Sequence, residues 1–358
     1  MRPTYLILPA LLSAAAAQAQ PPIRLVREFT IDGSSGVSFG RLGRMELGPD
    51  GAIVMADEAN GVIYRFTPAG KFRDSLGRKG QGPGEFLLAA GIGIGPGGEI
   101  ALADLRTRRL TIWNPDGKFR NSGTIGSGMP FELLWRGADP IIGVMTFTPG
   151  SGATASLVPA TVGEQVVLKA PLATFPDPTS DQMAQAVSCG LCVHALGPNG
   201  NLVVAAPDTF YRMSELGSGG KVLRSWARPG IGAGLRTEEE AAALRARLAR
   251  GPGGGAPTPE SRAPRPAVPG SNGSSFRWRF QGIGFDAAGR LLALVSNAGS
   301  TSPVVDVFAG DGKFLGTVKL AEHLTGMVIR GNRMLGQGET ADGEHVIHVY
   351  RIEALPGR

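Results

Sequence analysis

The sequence predicts an all-β fold of six four-stranded units closed into a ring, a six-bladed β-propeller. Three observations lead there. A turn of Pro/Asp/Gly type followed by a short apolar, partly β-branched run recurs at Gly48-Pro-Asp-Gly-Ala-Ile-Val-Met-Ala-Asp57, Gly95-Pro-Gly-Gly-Glu-Ile-Ala-Leu-Ala-Asp104 and Gly197-Pro-Asn-Gly-Asn-Leu-Val-Val-Ala-Ala206, and more faintly from Phe285 to Val295. Each copy is a hairpin signal. Every turn has a partner about twenty residues on, as in Ala69-Gly-Lys-Phe72, Asp116-Gly-Lys-Phe119, Gly220-Lys221 and Gly312-Lys-Phe314. From Gly51 to Gly98 the repeat is 47 residues, and a period of about 40–50 with four strands per unit is that of a propeller.

The units follow in order. The first runs from about Leu42 to Leu76, the second from Ala90 to Ile125, and a degenerate third from Phe131 to Ala170 with turns at Asp139-Pro140 and Val162-Gly163. The fourth spans Leu191 to Trp226, the fifth Phe280 to Leu320 and the sixth Leu324 to Ile352. The sixth is one strand short, while Ile23-Arg-Leu-Val-Arg-Glu-Phe-Thr-Ile31 is a strand without a unit. If that N-terminal strand closes the last blade, no sheet edge stays open, so both anomalies resolve together.

Composition agrees with a globular β domain. Gly is 54 of 358 residues, about twice its usual share, placed at regular turn positions, and apolar residues reach 42%. Residues 1–19 read as a secretory signal: Arg2, an apolar run from Tyr5 to Ala17, and a small-residue cleavage site ending at Ala19. That run is too short for a membrane span. The expected mature protein is one domain, 20–358, a periplasmic or secreted monomer with no stable membrane insertion. The net charge of +6 is mild and no block of like charge stands out, so no nucleic-acid partner is expected.

Leu76-Gly-Arg-Lys-Gly-Gln-Gly-Pro-Gly-Glu-Phe86, followed by Gly91-Ile-Gly-Ile and the second copy of the decapeptide, resembles the NHL-repeat and related six-bladed propeller families. The likeness is good over residues 41–125 and weaker beyond. It departs where those families carry Asn-x-Arg after the strand-ending Asp, since Asn60 is followed by Val62 and Thr107 by Arg109. Such motifs carry turn and strand chemistry, so they imply architecture and leave activity open.

With strands named a to d outward from the ring axis, the tight Gly turns all fall on one face. The longer connections, 77–89, 171–190 and 227–279 among them, fall on the other. That elaborated face is the expected binding surface, with Asp57, Asn60, Arg78, Lys79, Asp104, Arg106 and Arg108 as candidate residues. Asp57 and Asp104 either bind Ca²⁺ there or cap their own turns; apart from that option no cofactor is predicted. Thr237-Glu-Glu-Glu240 is a capping box that opens a short helical insertion at about 237–250.

Cys189 and Cys192 are the only cysteines, and in an exported chain a local disulfide is the expected pairing. His345 and His348 lie three apart in a strand and point to opposite faces, while His194 and His323 are isolated, so no metal site is predicted. No nucleophile elbow, phosphate loop or zinc-protease helix is present. The expected function is a non-catalytic binding or scaffold propeller that presents its loop-rich face to a protein, peptide or glycan. The alternative is a metal-dependent hydrolase or lyase with its site at the loop-side mouth of the central channel.

Overall fold

The computed structural model describes residues 21–148, 152–175, 194–205, 211–217, 221–229, 278–297 and 303–356. The leader, the Cys189/Cys192 pair and the helix expected at 237–250 lie outside the described residues. Within them strand is the dominant element, and the one short helical element is a 3₁₀ turn at Gly33–Ser35, capped by Asp32.

Strand β1 (Ile23–Ile31) precedes the first blade, which holds β2 (Leu42–Leu47), β3 (Ile53–Asp57), β4 (Val62–Phe66) and β5 (Phe72–Leu76). The second holds β6 (Ala89–Ile94), β7 (Ile100–Asp104), β8 (Arg109–Trp113) and β9 (Phe119–Ile125). The third is built on β10 (Met129–Arg136), β11 (Asp139–Thr148) and β12 (Gly152–Val162). Its outer position is split between β13 (Gln165–Leu168) and β14 (Ala173–Phe175). The fourth blade is β15 (His194–Leu196), β16 (Leu202–Ala205), β17 (Arg212–Leu216) and β18 (Val222–Ala227). The fifth is β19 (Trp278–Phe285), β20 (Leu291–Asn297), β21 (Val304–Phe308) and β22 (Phe314–Lys319). The sixth contributes β23 (Leu324–Arg330), β24 (Arg333–Glu339) and β25 (His345–Ala354).

The N-terminal strand closes that last blade. The sheet order is β1-β25-β24-β23, with β1 antiparallel to β25 from Ile23↔Ala354 to Ile31↔Ile347. The degeneracy of the third blade also has a structural form. β13 pairs antiparallel with β12 and parallel with β9 of the second blade, so these two blades share one continuous sheet.

The five-residue turns share one device. In the first, the Gly48 N–H donates to Ala52 O at 2.7 Å and the Gly51 N–H to Gly48 O at 3.0 Å. Gly51 sits at φ 82°, a left-handed conformation that glycine reaches without a Cβ clash. The turn at Gly95–Glu99 repeats these bonds at 2.8 and 3.0 Å. The outer turns, such as Thr67–Lys71 and Asn114–Lys118, do the same.

Blades pack face to face through apolar clusters, one at each junction round the ring. The second strand of a blade serves two of them by its period of two. On β20, Leu291, Ala293 and Val295 face the fourth blade, while Leu292 and Leu294 face the sixth. On β3, Val54 and Ala56 face the second blade, and Ile53 and Met55 face the sixth. These strands therefore read as unbroken apolar runs.

Polar pins add specificity at the junctions. Arg65, buried at 4% side-chain exposure, pairs with Asp74 and donates to Pro115 O of the next blade at 2.8 Å. Between the fourth and fifth blades, buried Asp306 accepts from Tyr211 Oη at 2.7 Å, Thr317 Oγ1 at 2.5 Å and Arg228 Nη1 at 3.3 Å.

The closing strand generates a prediction. Removing residues 21–31 bares the edge of β25 and strips Ile23 and Ile31 from two junctions. The expected outcome is loss of a sharp thermal unfolding transition, restored by adding the 21–31 peptide in trans. An unchanged transition in the shortened chain would show that β1 is not needed for closure.

Candidate functional site

The first strands of the six blades line the central channel, where a cavity of about 470 Å³ is walled by all of them. Its wall extends from mid-strand to the turns at Asp286–Gly289 and Gly331. It therefore occupies the half of the channel that ends on the face of tight turns, opposite the elaborated face.

Most of the wall is apolar or glycine, and a few charges stand out against it: Arg44 and Glu46 from β2, Glu132 from β10, and Arg330 from the end of β23. His194 of β15 lines it as well, its ring 6.4 Å from that of Phe131. The hairpin registers place these groups in depth. Arg330 pairs with Arg333 at its turn, Glu46 stands two residues before the turn at Gly48, and Glu132 four before the closing pair Arg136↔Asp139. Glu132 is thus about one pleat deeper than Glu46, roughly 7 Å along the strand direction.

The two carboxylates are held alike. Glu46 Oε1 accepts from the Leu47 N–H at 3.0 Å, and Glu132 Oε1 from the Leu133 N–H at 3.0 Å. Neither they nor Arg330 takes part in an ion pair within 4.0 Å among the described residues. Arg44 reaches past the second blade to donate to Phe131 O at 3.1 Å. Between them, β6 carries Gly91 and Gly93, where a Cβ would fall 2.4 Å from Leu133 N and 2.3 Å from Leu133 Cδ2, so β6 and β10 pack closely. At the rim, Trp135 packs over Gly95, and its indole N–H is buried without a hydrogen-bond partner.

Enclosure controls the charge state. Glu132 is 8% exposed, and Glu46 is half-buried on the cavity wall. Burial pushes each carboxyl from 4.5 up to about 7. Arg330 opposes that rise at Glu46 and Arg44 opposes it at Glu132, while the Glu46 charge adds a small further push on Glu132. Two carboxyls poised near neutrality in one cavity mark a candidate site for binding or proton transfer. Among the described residues, no group of three or more His, Cys, Asp or Glu side chains is placed to hold a metal ion.

The residues singled out on the elaborated face sit elsewhere, and none lines this cavity. Asp57, fully buried, accepts from the N–H groups of Gly40, Arg41, Ala59 and Asn60 and from Asn60 Nδ2. Asp104 repeats the pattern with Leu87, Leu88, Arg106 and Thr107. Each clamps the connection entering its blade to the end of the second strand, and its lone pairs are spent on that turn. Arg78 is paired with Glu85, and Lys79 bridges to Phe86 in a loop folded on itself. Arg106 and Arg108 are exposed.

Sequence reasoning passed over the channel charges. The available signal was a charged residue inside an apolar first strand, in Met45-Glu46-Leu47 and Phe131-Glu132-Leu133.

Two measurements follow. Arg108 has φ 53°, the left-handed conformation that Gly61 takes at the matching position of the first blade. Arg108→Gly is expected to raise unfolding stability by about 0.5–1 kcal/mol, because the Cβ strain is relieved and the chain-entropy cost of glycine offsets part of the gain. For Glu132, the native state binds a proton that the unfolded chain has released between 4.5 and about 7. Stability from this group is therefore full below 4.5 and is lost as pH rises through about 7. Denaturant titrations should accordingly show Glu132→Gln gaining on wild type from pH 5 to pH 8. His348, whose ring burial holds below 6.5, works in the opposite sense and loses stability as pH falls.

Residues 34–124 match the model of the family DUF5128, described as a 6-bladed beta-propeller. No curated protein matches the chain in sequence. Among solved structures, a Bacteroides fragilis protein described as exported is similar at 11% identity and TM-score 0.53, covering 92% of this chain and 95% of that one. U3-55K is similar at 12% identity and TM-score 0.50, covering 93% of this chain and all of that one. Virginiamycin B lyase from Staphylococcus aureus is more distant, at 12% identity and TM-score 0.46, covering 86% and 80%. At such identities the likeness concerns fold. The matched segment spans the first two blades, where the repeat is best kept, and the chain is a six-bladed β-propeller.

Proposed function

We propose that this chain is an exported, monomeric binding propeller that takes a small polar ligand into its central channel from the face of tight turns. The observation that carries this reading is the 470 Å³ cavity walled by all six blades, with Arg44, Glu46, Glu132 and Arg330 set among apolar residues. A cavity of that size with few convergent polar groups is the usual form of a small-ligand site. Export rests on the leader-like residues 1–19. The elaborated face, with Asp57, Asn60, Arg78, Lys79, Asp104, Arg106 and Arg108, remains the surface expected to meet a protein, peptide or glycan. Its two aspartates hold their own turns there by hydrogen bonds.

One observation favours a second reading. Burial pushes both channel carboxyls up to about 7, the range in which one donates and the other accepts a proton at neutral pH. On that reading the channel hosts acid–base chemistry such as hydrolysis or elimination.

The test is a thermal-shift panel of amino acids, sugars, organic acids and nucleotides on the full chain, repeated with Leu196→Trp, which fills the cavity from its wall. The binding reading expects at least one class to stabilise wild type and fail with the filled variant, and to be recovered chemically unchanged. A ligand that is converted, with conversion lost in both Glu46→Gln and Glu132→Gln, would establish the enzyme instead. Equal shifts in wild type and Leu196→Trp would remove the channel from consideration.

A further inference from the structure

The channel offers both signs of charge close together, and Arg330 and Glu46 are not paired with each other within 4.0 Å among the described residues. Arg330 lies outermost at its turn, and Glu46 follows two residues deep. Each carboxylate has one oxygen tied to its own backbone, which leaves Glu46 Oε2 and Glu132 Oε2 without such a bond. Between and around them the wall is apolar: Leu134, Trp135, Leu196, Phe285 and Val328. A purely anionic ligand would meet Arg330 with the Glu46 charge beside it, and a purely cationic one would meet the reverse conflict. A ligand with both charges on neighbouring atoms and an apolar remainder satisfies every part of the wall.

We propose that the channel binds an α-amino acid with an apolar side chain. Its carboxylate faces the Arg330 guanidinium, its ammonium is held by Glu46 with Glu132 behind it, and its side chain lies against the Trp135–Leu196 wall. This deepens the channel-binding reading above and rests on it.

The charged groups round Glu46 give the binding a sign with pH. On its own strand stands Arg44; β10 supplies Glu132, β15 His194, and β23 Arg330. At the end of β19, Asp286 is already paired with Arg290 at 2.7 Å. β6 presents only Ile92, Gly93 and Ile94. An ammonium needs Glu46 ionised, and burial keeps much of that carboxyl protonated below about 7. Ligand uptake therefore expels a proton, and affinity rises from pH 6 to pH 8.

Calorimetric titration of the full chain with phenylalanine, phenethylamine and 3-phenylpropanoate tests this directly. Phenylalanine is expected to bind, each analogue lacking one charge at least about tenfold more weakly. Glu46→Gln keeps an oxygen for the Leu47 N–H, so its fold is preserved. It should weaken phenylalanine by a similar factor while leaving 3-phenylpropanoate no weaker. Phenylalanine should also bind more tightly at pH 8 than at pH 6. The assignment is overturned if 3-phenylpropanoate binds as well as phenylalanine, or if Glu46→Gln leaves phenylalanine unaffected. It is also overturned if phenylalanine fails to bind while another compound class binds wild type but not Leu196→Trp; the channel then remains the site and only the ligand class is wrong. If no compound distinguishes wild type from Leu196→Trp, the channel reading itself fails.

Discussion

The structure depends on one constraint: the second strand of every blade is buried on both faces. Val54 and Ala56 belong to one junction and Ile53 and Met55 to another, and the same division splits Ile100 and Leu102 from Ala101 and Ala103. No blade can bury such a strand alone, so each needs a neighbour on either side and the array is stable only as a ring. Burial of each large side chain is worth roughly 1.5–3 kcal/mol, whereas exposed ion pairs contribute about 0–1 kcal/mol. Ile23 and Ile31, which β1 brings to the two junctions of the last blade, thus outweigh the exposed Arg24–Glu353 pair beside them.

The same packing shapes the channel. Where two first strands approach closely, glycine makes the room. Gly91 and Gly93 admit Leu133, and Gly282 and Gly284 admit Met327 and Ile329, a Cβ at each falling 2.3 to 2.8 Å from the neighbour. The second and third blades, and the fifth and sixth, are therefore drawn together at the axis. Across the glycine-lined β6, Arg44 of the first blade reaches a carbonyl of the third.

Much of this was legible in the sequence, for physical reasons that also explain the gaps. Turn glycines and two-faced apolar runs are local signals, so blade order, the Ile23–Ile31 closure and the weak third blade could all be read from residues alone. Asp57 and Asp104 were legible as residues but ambiguous in role, because an aspartate at a strand end serves a turn or an ion equally well. Their hydrogen bonds are made to the turn. The candidate channel site was not legible, since Glu46, Glu132 and Arg330 come from strands more than eighty residues apart and meet only when the ring closes. Loop length drew attention to one face, whereas the concave cavity lies toward the other.

The channel charges are most informative as departures from the repeat. Gly93 and Gly284 occupy, in the second and fifth blades, the place that Glu46 occupies in the first, two residues before the turn. An apolar residue or glycine at that place would leave the junctions intact. A carboxyl there raises its own proton affinity to about 7 and works against the fold above that pH. The same holds one pleat deeper for Glu132. Local rules broken at a cost in stability are characteristic of functional sites. Here two such breaks, from the first and third blades, converge with Arg44 and Arg330 on a single cavity. The repeat builds the ring, and the residues that depart from it gather on the surface proposed to meet a ligand.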